Sequence, residues 1–176
     1  CIGNHDAAVL DLLDMDYFNS YARAAIEWTR TQLREQDLEY LRGLKSVVTH
    51  AEYTLTHGSL HFPEQFGYVL TKVEAQESLR NQSTRVGFVG HSHVPAVYRE
   101  REGSRPGELE VLYEAEIEST VQGCRKVLMN VGSVGQPRDE DPRAAYAIYD
   151  VDTGRIAVRR VAYDIATTKR KILAAG

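Results

Sequence analysis

The chain has 176 residues, of which 43% are apolar and 26% charged, with a formal net charge of −4. That length suffices for one buried core, and the charge balance excludes the basic footprint of a nucleic-acid binder. No apolar run is long enough to cross a bilayer and no secretory leader is visible, so no membrane partner is expected. The expected compartment is the cytoplasm, where Cys1 and Cys124 stay reduced. The basic residues Arg155, Arg159, Arg160, Lys169, Arg170 and Lys171 read as a solvated strand edge and helix face.

Taken in order, Cys1-Ile2 reads as the end of a buried strand. Gly3 then lets the chain turn into a polar loop, Asn4-His5-Asp6, with Asp6 placed to cap the next turn. A helix is predicted over 18–35, where Ala24, Ala25, Trp28 and Leu33 recur at helical spacing. Trp28, Tyr17 and Tyr21 are assigned to packing, and Asp11 and Asp14 to the surface. A short helix over 37–41 ends at Arg42-Gly43, a glycine cap. Residues 46–50 and 53–57, rich in Val, Thr and Tyr, make a hairpin about Ala51-Glu52. Thr71-x-x-Glu74 is a capping box that opens a helix reaching Asn81. Strands follow over 86–89, 97–102 and 109–116, the last two joined by the turn-rich 103–107. Another strand covers 126–131, and 144–150 pairs with 155–162 about Asp152-Thr153-Gly154. A helix over 164–174 closes the chain. The pattern is α/β, a layered sandwich whose strand ends deliver polar groups to one edge.

The most distinctive of those ends is Gly90-His91-Ser92-His93, just past the strand 86–89. On an extended backbone, residues two apart share a face, so both imidazoles are expected to enter one crevice. Imidazole is the commonest protein ligand for mid-to-late first-row metals. Three further stretches end on polar residues beside glycine: Gly3-Asn4-His5-Asp6, Thr56-His57-Gly58-Ser59 and Asn130-Val131-Gly132-Ser133. Gly58, Gly90 and Gly132 are expected to let the backbone come close to the site. His50 and His61 are read as exposed polar residues outside it.

Together and in this order, these blocks resemble the calcineurin-like metallophosphoesterase superfamily, in its branch of small bacterial and archaeal phosphodiesterases. Gly132-Ser133-Val134-Gly135-Gln136-Pro137-Arg138, followed by Arg143-Ala144-x-Tyr146-Ala147, is similar to the same branch. The family's two earlier blocks, Asp-x-His and Gly-Asp-x-x-Asp, are absent from this sequence. Residues 1–176 therefore read as a single, N-terminally incomplete domain. The resemblance implies a two-sheet β-sandwich flanked by helices, four layers in the order α/β/β/α, without its opening strand–helix–strand unit. An exposed apolar face and unpaired strand edges are the expected consequence.

For chemistry, the resemblance implies hydrolysis of a small phosphodiester or phosphomonoester at a pair of divalent ions. Asn4, His57 and His91 would bind one ion and His93 the other. Asn4 and His5 would contact substrate, and His5 would act as general acid. Amide and imidazole donors favour Mn2+, with Fe, Zn2+ or Ni2+ as alternatives. The ligands that complete the His93 ion would come from the missing N-terminal segment, as a separate piece or chain. Without them little hydrolysis is expected. Dinucleoside polyphosphates and phosphoproteins are alternative substrates. A catalytically inactive scaffold on the same fold is the alternative function, although a scaffold needs neither a ligand set nor an acid.

Overall fold

Side chains alternate along the central strands and so feed two separate cores. The computed structural model describes residues 1–175. Among the described residues the strands are β1 (Val47–Thr49), β2 (Tyr53–Thr56), β3 (Val86–Val89), β4 (Ala96–Arg101), β5 (Glu110–Leu112), β6 (Ile117–Thr120), β7 (Cys124–Asn130), β8 (Ala144–Asp150) and β9 (Arg155–Val161). One sheet has the order β1-β2-β3-β7-β4-β5 and the other β6-β9-β8. Val86, Val97, Val127 and Met129 face the smaller sheet, where Ile117, Ala145, Ile156 and Val158 complete the inter-sheet core. The intervening Val89, Ala96, Tyr98 and Leu128 face the other way, onto Ala75 and Leu79 of the helix Lys72–Asn81. The fold is thus mixed α/β, two sheets with flanking helices, as expected from the sequence.

Strands β2, β3 and β7 are mutually parallel neighbours. Their C-terminal ends therefore emerge at one edge of the larger sheet, where ligand sites of such sheets form. The hairpin expected at 46–57 is β1 and β2, antiparallel with Val47 opposite Thr56. Of the strand expected over 109–116 only β5 forms, at 110–112; β6 begins beyond it, at Ile117, and belongs to the other sheet. Between them Tyr113 donates its hydroxyl to the Leu70 carbonyl at 2.8 Å, which anchors the crossing segment.

The helices, in chain order, are α1 (Asn4–Val9), α2 (Ser20–Gln32), α3 (Glu35–Arg42), α4 (Lys72–Asn81) and α5 (Ile165–Ala175). The capping box of α4 forms as expected, with Thr71 and Glu74 bonding each other's backbone amides. Helix α2 starts after Asn19, whose side-chain oxygen accepts from the Ala22 amide at 2.9 Å, so Phe18 lies outside it. Its buried residue is Ile26, whereas Ala24, Ala25 and Trp28 face solvent. The alanines report helix propensity, not the direction of the buried face. Tyr17, Tyr21 and Trp28 are 80%, 88% and 46% exposed, so the packing role assigned to them is withdrawn.

The expected strand at Cys1-Ile2 is also absent. Ile2 is buried and makes one backbone bond, to the Lys45 carbonyl at 3.0 Å, while Cys1 is exposed. Cys124 is buried at the start of β7, and both cysteines are free. Beside Cys1 the two sheets part. A groove of about 590 Å³ opens there, lined by Tyr53, Leu55, Phe88, Val131, Ala147 and Tyr149 among others. Strand β8, which forms one side, has no partner on its outer edge among the described residues.

Candidate metal centre

Each of the three parallel strands ends in a segment that carries a polar side chain into one cavity of about 700 Å³. β2 leads to His57, β3 to His91 and His93, and β7 to the loop bearing Gln136 and Arg138; α1 adds Asn4 and His5. The Asn4-His5-Asp6 stretch, expected as a loop, is the first turn of α1. Asp6 reaches back three residues, and its carboxylate accepts from the Gly3 amide at 2.8 Å, which closes the turn as a helix start.

His57 is the hub. Its Nε2 lies 3.0 Å from Asn4 Oδ1 and 3.0 Å from His91 Nδ1. Tyr68 stacks on the His91 ring with centroids 4.1 Å apart, and Phe66 meets His57 edge-on at 5.9 Å. Both aromatics are carried by a loop folded tightly against Gly58. A side chain there would place its first carbon 2.7 Å from the Gly67 carbonyl oxygen, so only glycine fits.

The histidine pair of β3 departs from the extended geometry expected of it. His91 and His93 both adopt left-handed backbone angles, φ 63° and 62°, a conformation that disfavours side chains and often marks functional sites. The turn is made by the histidines themselves. A first side-chain carbon at Gly90 would have nothing nearer than 3.7 Å, an ordinary contact, so the backbone there does not require glycine. The two rings consequently diverge. His91 joins His57, while His93 Nδ1 donates to the Gln136 carbonyl at 2.6 Å. That bond sets the His93 tautomer and leaves Nε2 as the free lone pair, a common arrangement for a ligating histidine.

Asn130 stitches this edge together. Fully buried, it donates to the Gly90 carbonyl at 2.7 Å and to Ser92 Oγ at 2.8 Å, and accepts from the Gly132 amide at 3.0 Å. Gly132 does need to be glycine. It has φ +77°, and a side chain would come within 2.8 Å of Ala145 and 2.9 Å of Pro95. His5 lines the same cavity, makes no side-chain hydrogen bond among the described residues, and meets Phe18 edge-on at 5.2 Å. His50 and His61 are exposed and line no part of the cavity.

Burial pushes His57 and His91 down to about 4, from an ordinary 6.5, and lowers His5 and His93 in the same direction. All four are neutral near pH 7, the form that ligates metals. A stability consequence follows from the sign. The unfolded chain takes up protons near pH 6.5 that His57 and His91 refuse until about 4. Below pH 6.5 the unfolded state binds more protons, so stability falls with pH through that window and levels off beneath it. Denaturant titrations of the metal-free protein between pH 7 and 4 should show this fall, reduced when His57 or His91 is replaced by a non-titrating residue. A flat profile contradicts the burial of the pair.

Two separations in this trio match those of neighbouring donors around a divalent ion. Donors about 2.1 Å from a metal and at right angles lie about 3.0 Å apart, which is the separation of His57 Nε2 from both Asn4 Oδ1 and His91 Nδ1. The histidine–histidine hydrogen bond holds the two nitrogens where an ion would replace the shared proton. Among the described residues no group of three His, Cys, Asp or Glu side chains is gathered to hold a metal. The third donor of the trio is an amide, and His93 is turned toward Gln136. The contributions of Tyr68, Gln136 and Arg138 are not visible in the sequence. Only the last two lie in a stretch marked as distinctive, and the Gln136 contact is made by a carbonyl, which any residue carries.

The pattern that defines the calcineurin-like phosphoesterase superfamily domain matches residues 1–154. An uncharacterized protein of Methanocaldococcus jannaschii is 34% identical over a match that covers 98% of this chain and 68% of that protein. The crystal structure of a metallophosphoesterase from Sphaerobacter thermophilus is similar with a TM-score of 0.83 at 37% identity, over 99% of this chain and 70% of that one. A hypothetical protein from Pyrococcus horikoshii OT3, 17% identical, shares the fold with a TM-score of 0.70, over 98% of this chain and 66% of its own. Sequence pattern, fold and the cluster of strand-end donors agree, and the chain belongs to the calcineurin-like phosphoesterase superfamily, a superfamily of metal-dependent phosphoesterases.

Proposed function

We propose that this chain carries one metal-binding half and the general acid of a hydrolase for phosphodiesters or phosphomonoesters, working at two divalent ions, Mn2+ first among the candidates. The observation that carries this reading is the convergence of Asn4, His57 and His91 at ligand spacing in a cavity that also admits His5 and His93. Divalent ions bound there supply Lewis acidity and a water acidic enough to attack at neutral pH. Asn4, His57 and His91 would hold one ion, and His93, its Nδ1 engaged by Gln136, would offer Nε2 to the second. His5 contacts the phosphoryl group and hands its proton to the leaving oxygen. Burial keeps His5 neutral in the free protein, and negative charge arriving with substrate raises its pKa again.

His93 alone does not hold an ion against water. The remaining ligands for its metal are assigned to a segment outside these residues, either elsewhere in the same protein or on a separate piece. The greater length of the two relatives more than 30% identical supports this, and so does the open groove beside Cys1. Two free thiols suit a reducing cytoplasm. The test is elemental analysis of the complete protein with and without His91→Ala. Loss of bound metal in the variant is the expected result. Full stoichiometry in the variant removes His91 from the ligand set, and no metal in the parent protein favours a scaffold over an enzyme.

A further inference from the structure

Among the described residues lining the cavity, Arg138 is the only one bearing a guanidinium or ammonium group on its side chain. It has no carboxylate partner among them; its one side-chain bond is from Nη2 to the Gln136 amide oxygen at 3.0 Å, within its own loop. Asp6, the only carboxylate side chain lining the cavity among the described residues, is engaged with the Gly3 amide. Arg138 lines the same cavity as His5, His91 and His93. A cation beside imidazoles that gather metal works against the binding of a second cation. It works in favour of binding once an anion shares the cavity, because a guanidinium offers a planar fork matched to phosphate oxygens.

The loop is also built to hold this group still. At one end it is tied to a metal-ligand candidate twice: the Gln136 carbonyl accepts from His93 Nδ1, and the Arg138 amide donates to the His93 carbonyl at 3.2 Å. At the other end Asp139, adjacent in sequence, is bonded to the buried guanidinium of Arg160. Arg160 in turn donates to the carbonyls of Ala115 at 2.8 Å and Arg143 at 3.1 Å. A backbone so short and doubly anchored has little left to order when the side chain it carries engages a ligand.

We propose that Arg138 is a substrate-binding residue that grips a phosphoryl oxygen of the bound ester, and that its loop, pinned by His93 and Arg160, holds it in position. This rests on the phosphoester reading of the site. The experiment is calorimetric titration of inorganic phosphate into the complete, Mn2+-loaded protein, its Arg138→Ala variant and its Arg138→Lys variant. KM and kcat for a small aryl phosphoester are measured alongside. Arg138 is exposed, so the substitution leaves the core intact. Phosphate binding should weaken by about 10- to 10²-fold in Arg138→Ala, the range for a lost charge-assisted bond, with KM raised by a similar factor and metal content unchanged. Lysine should recover part of the loss, since it restores the charge but not the fork. Undiminished phosphate binding in Arg138→Ala overturns the proposal, whatever the turnover. Weakened binding with no turnover in any of the three proteins supports the contact and sinks the hydrolase reading instead.

Discussion

Replacing His5 by alanine in the complete, metal-loaded protein should cut turnover by about 10²- to 10⁴-fold, the usual contribution of a positioned general acid, while metal content stays unchanged. The separation of the two effects comes from the geometry. Asn4, His57 and His91 form one cluster through 3.0 Å contacts, and His5 is absent from it. His5 instead faces the cavity with its ring edge-on to Phe18 at 5.2 Å, held by helix α1 but free of side-chain hydrogen bonds among the described residues. A titratable group that lines the cavity without binding partners is suited to exchanging a proton with a ligand. Steady-state kinetics with elemental analysis on the same samples checks the prediction. Unchanged turnover takes the acid role from His5, and lost metal moves His5 into the ligand set.

Arg160→Ala should destabilise the fold by about 3–5 kcal/mol, the cost of removing one partner of a buried ion pair. For a domain of this size that is a fall in Tm of roughly 6–20 °C. The Arg160 side chain is 0% exposed and lies between Asp139 and Asp141, whose side chains are 12% and 17% exposed. Its nitrogens also satisfy two backbone carbonyls, those of Ala115 and Arg143. Removing it leaves Asp139 with no cation, and one oxygen of that carboxylate already lacks a partner. Thermal unfolding of the variant checks the size of the effect. Adding Asp139→Asn to the variant should recover part of the loss, because the unpaired buried charge is then gone. A Tm within a degree of the parent would mean that the network contributes nothing to the loop's anchorage.

The residue types at the site are legible because metal chemistry restricts them. Imidazoles placed at strand ends beside glycine, and an amide oxygen just after Gly3, identify themselves by composition and order, and the fold class follows from the alternation of Val-rich strands with helices. Gly58 and Gly132 are close-approach positions, as their sequence context suggests, since a side chain at either meets backbone or core atoms within 3 Å. Gly90 is not, since its neighbours leave room. Helix α1 escapes a reading of the sequence because its start is secured by one bond from Asp6 to the Gly3 amide, over six residues too short and polar to show periodicity. Tyr68 escapes it because nothing local distinguishes a tyrosine that stacks on a histidine distant in sequence.

The sequence by itself determined which donors are present, the order in which strands and helices supply them, and the family to which they belong. Local chemistry suffices for those, since capping boxes, alternation and ligand types act within a few residues. The tertiary structure alone decided how the donors are shared. His91 and His93 stand two residues apart, yet left-handed backbone angles at both send one to His57 and the other to Gln136. It also decided that Arg138 enters the cavity, because the loop carrying it is held by His93 on one side and by Arg160, from the other sheet, on the other. Such contacts join residues far apart in sequence, and their geometry exists only once the two sheets have packed.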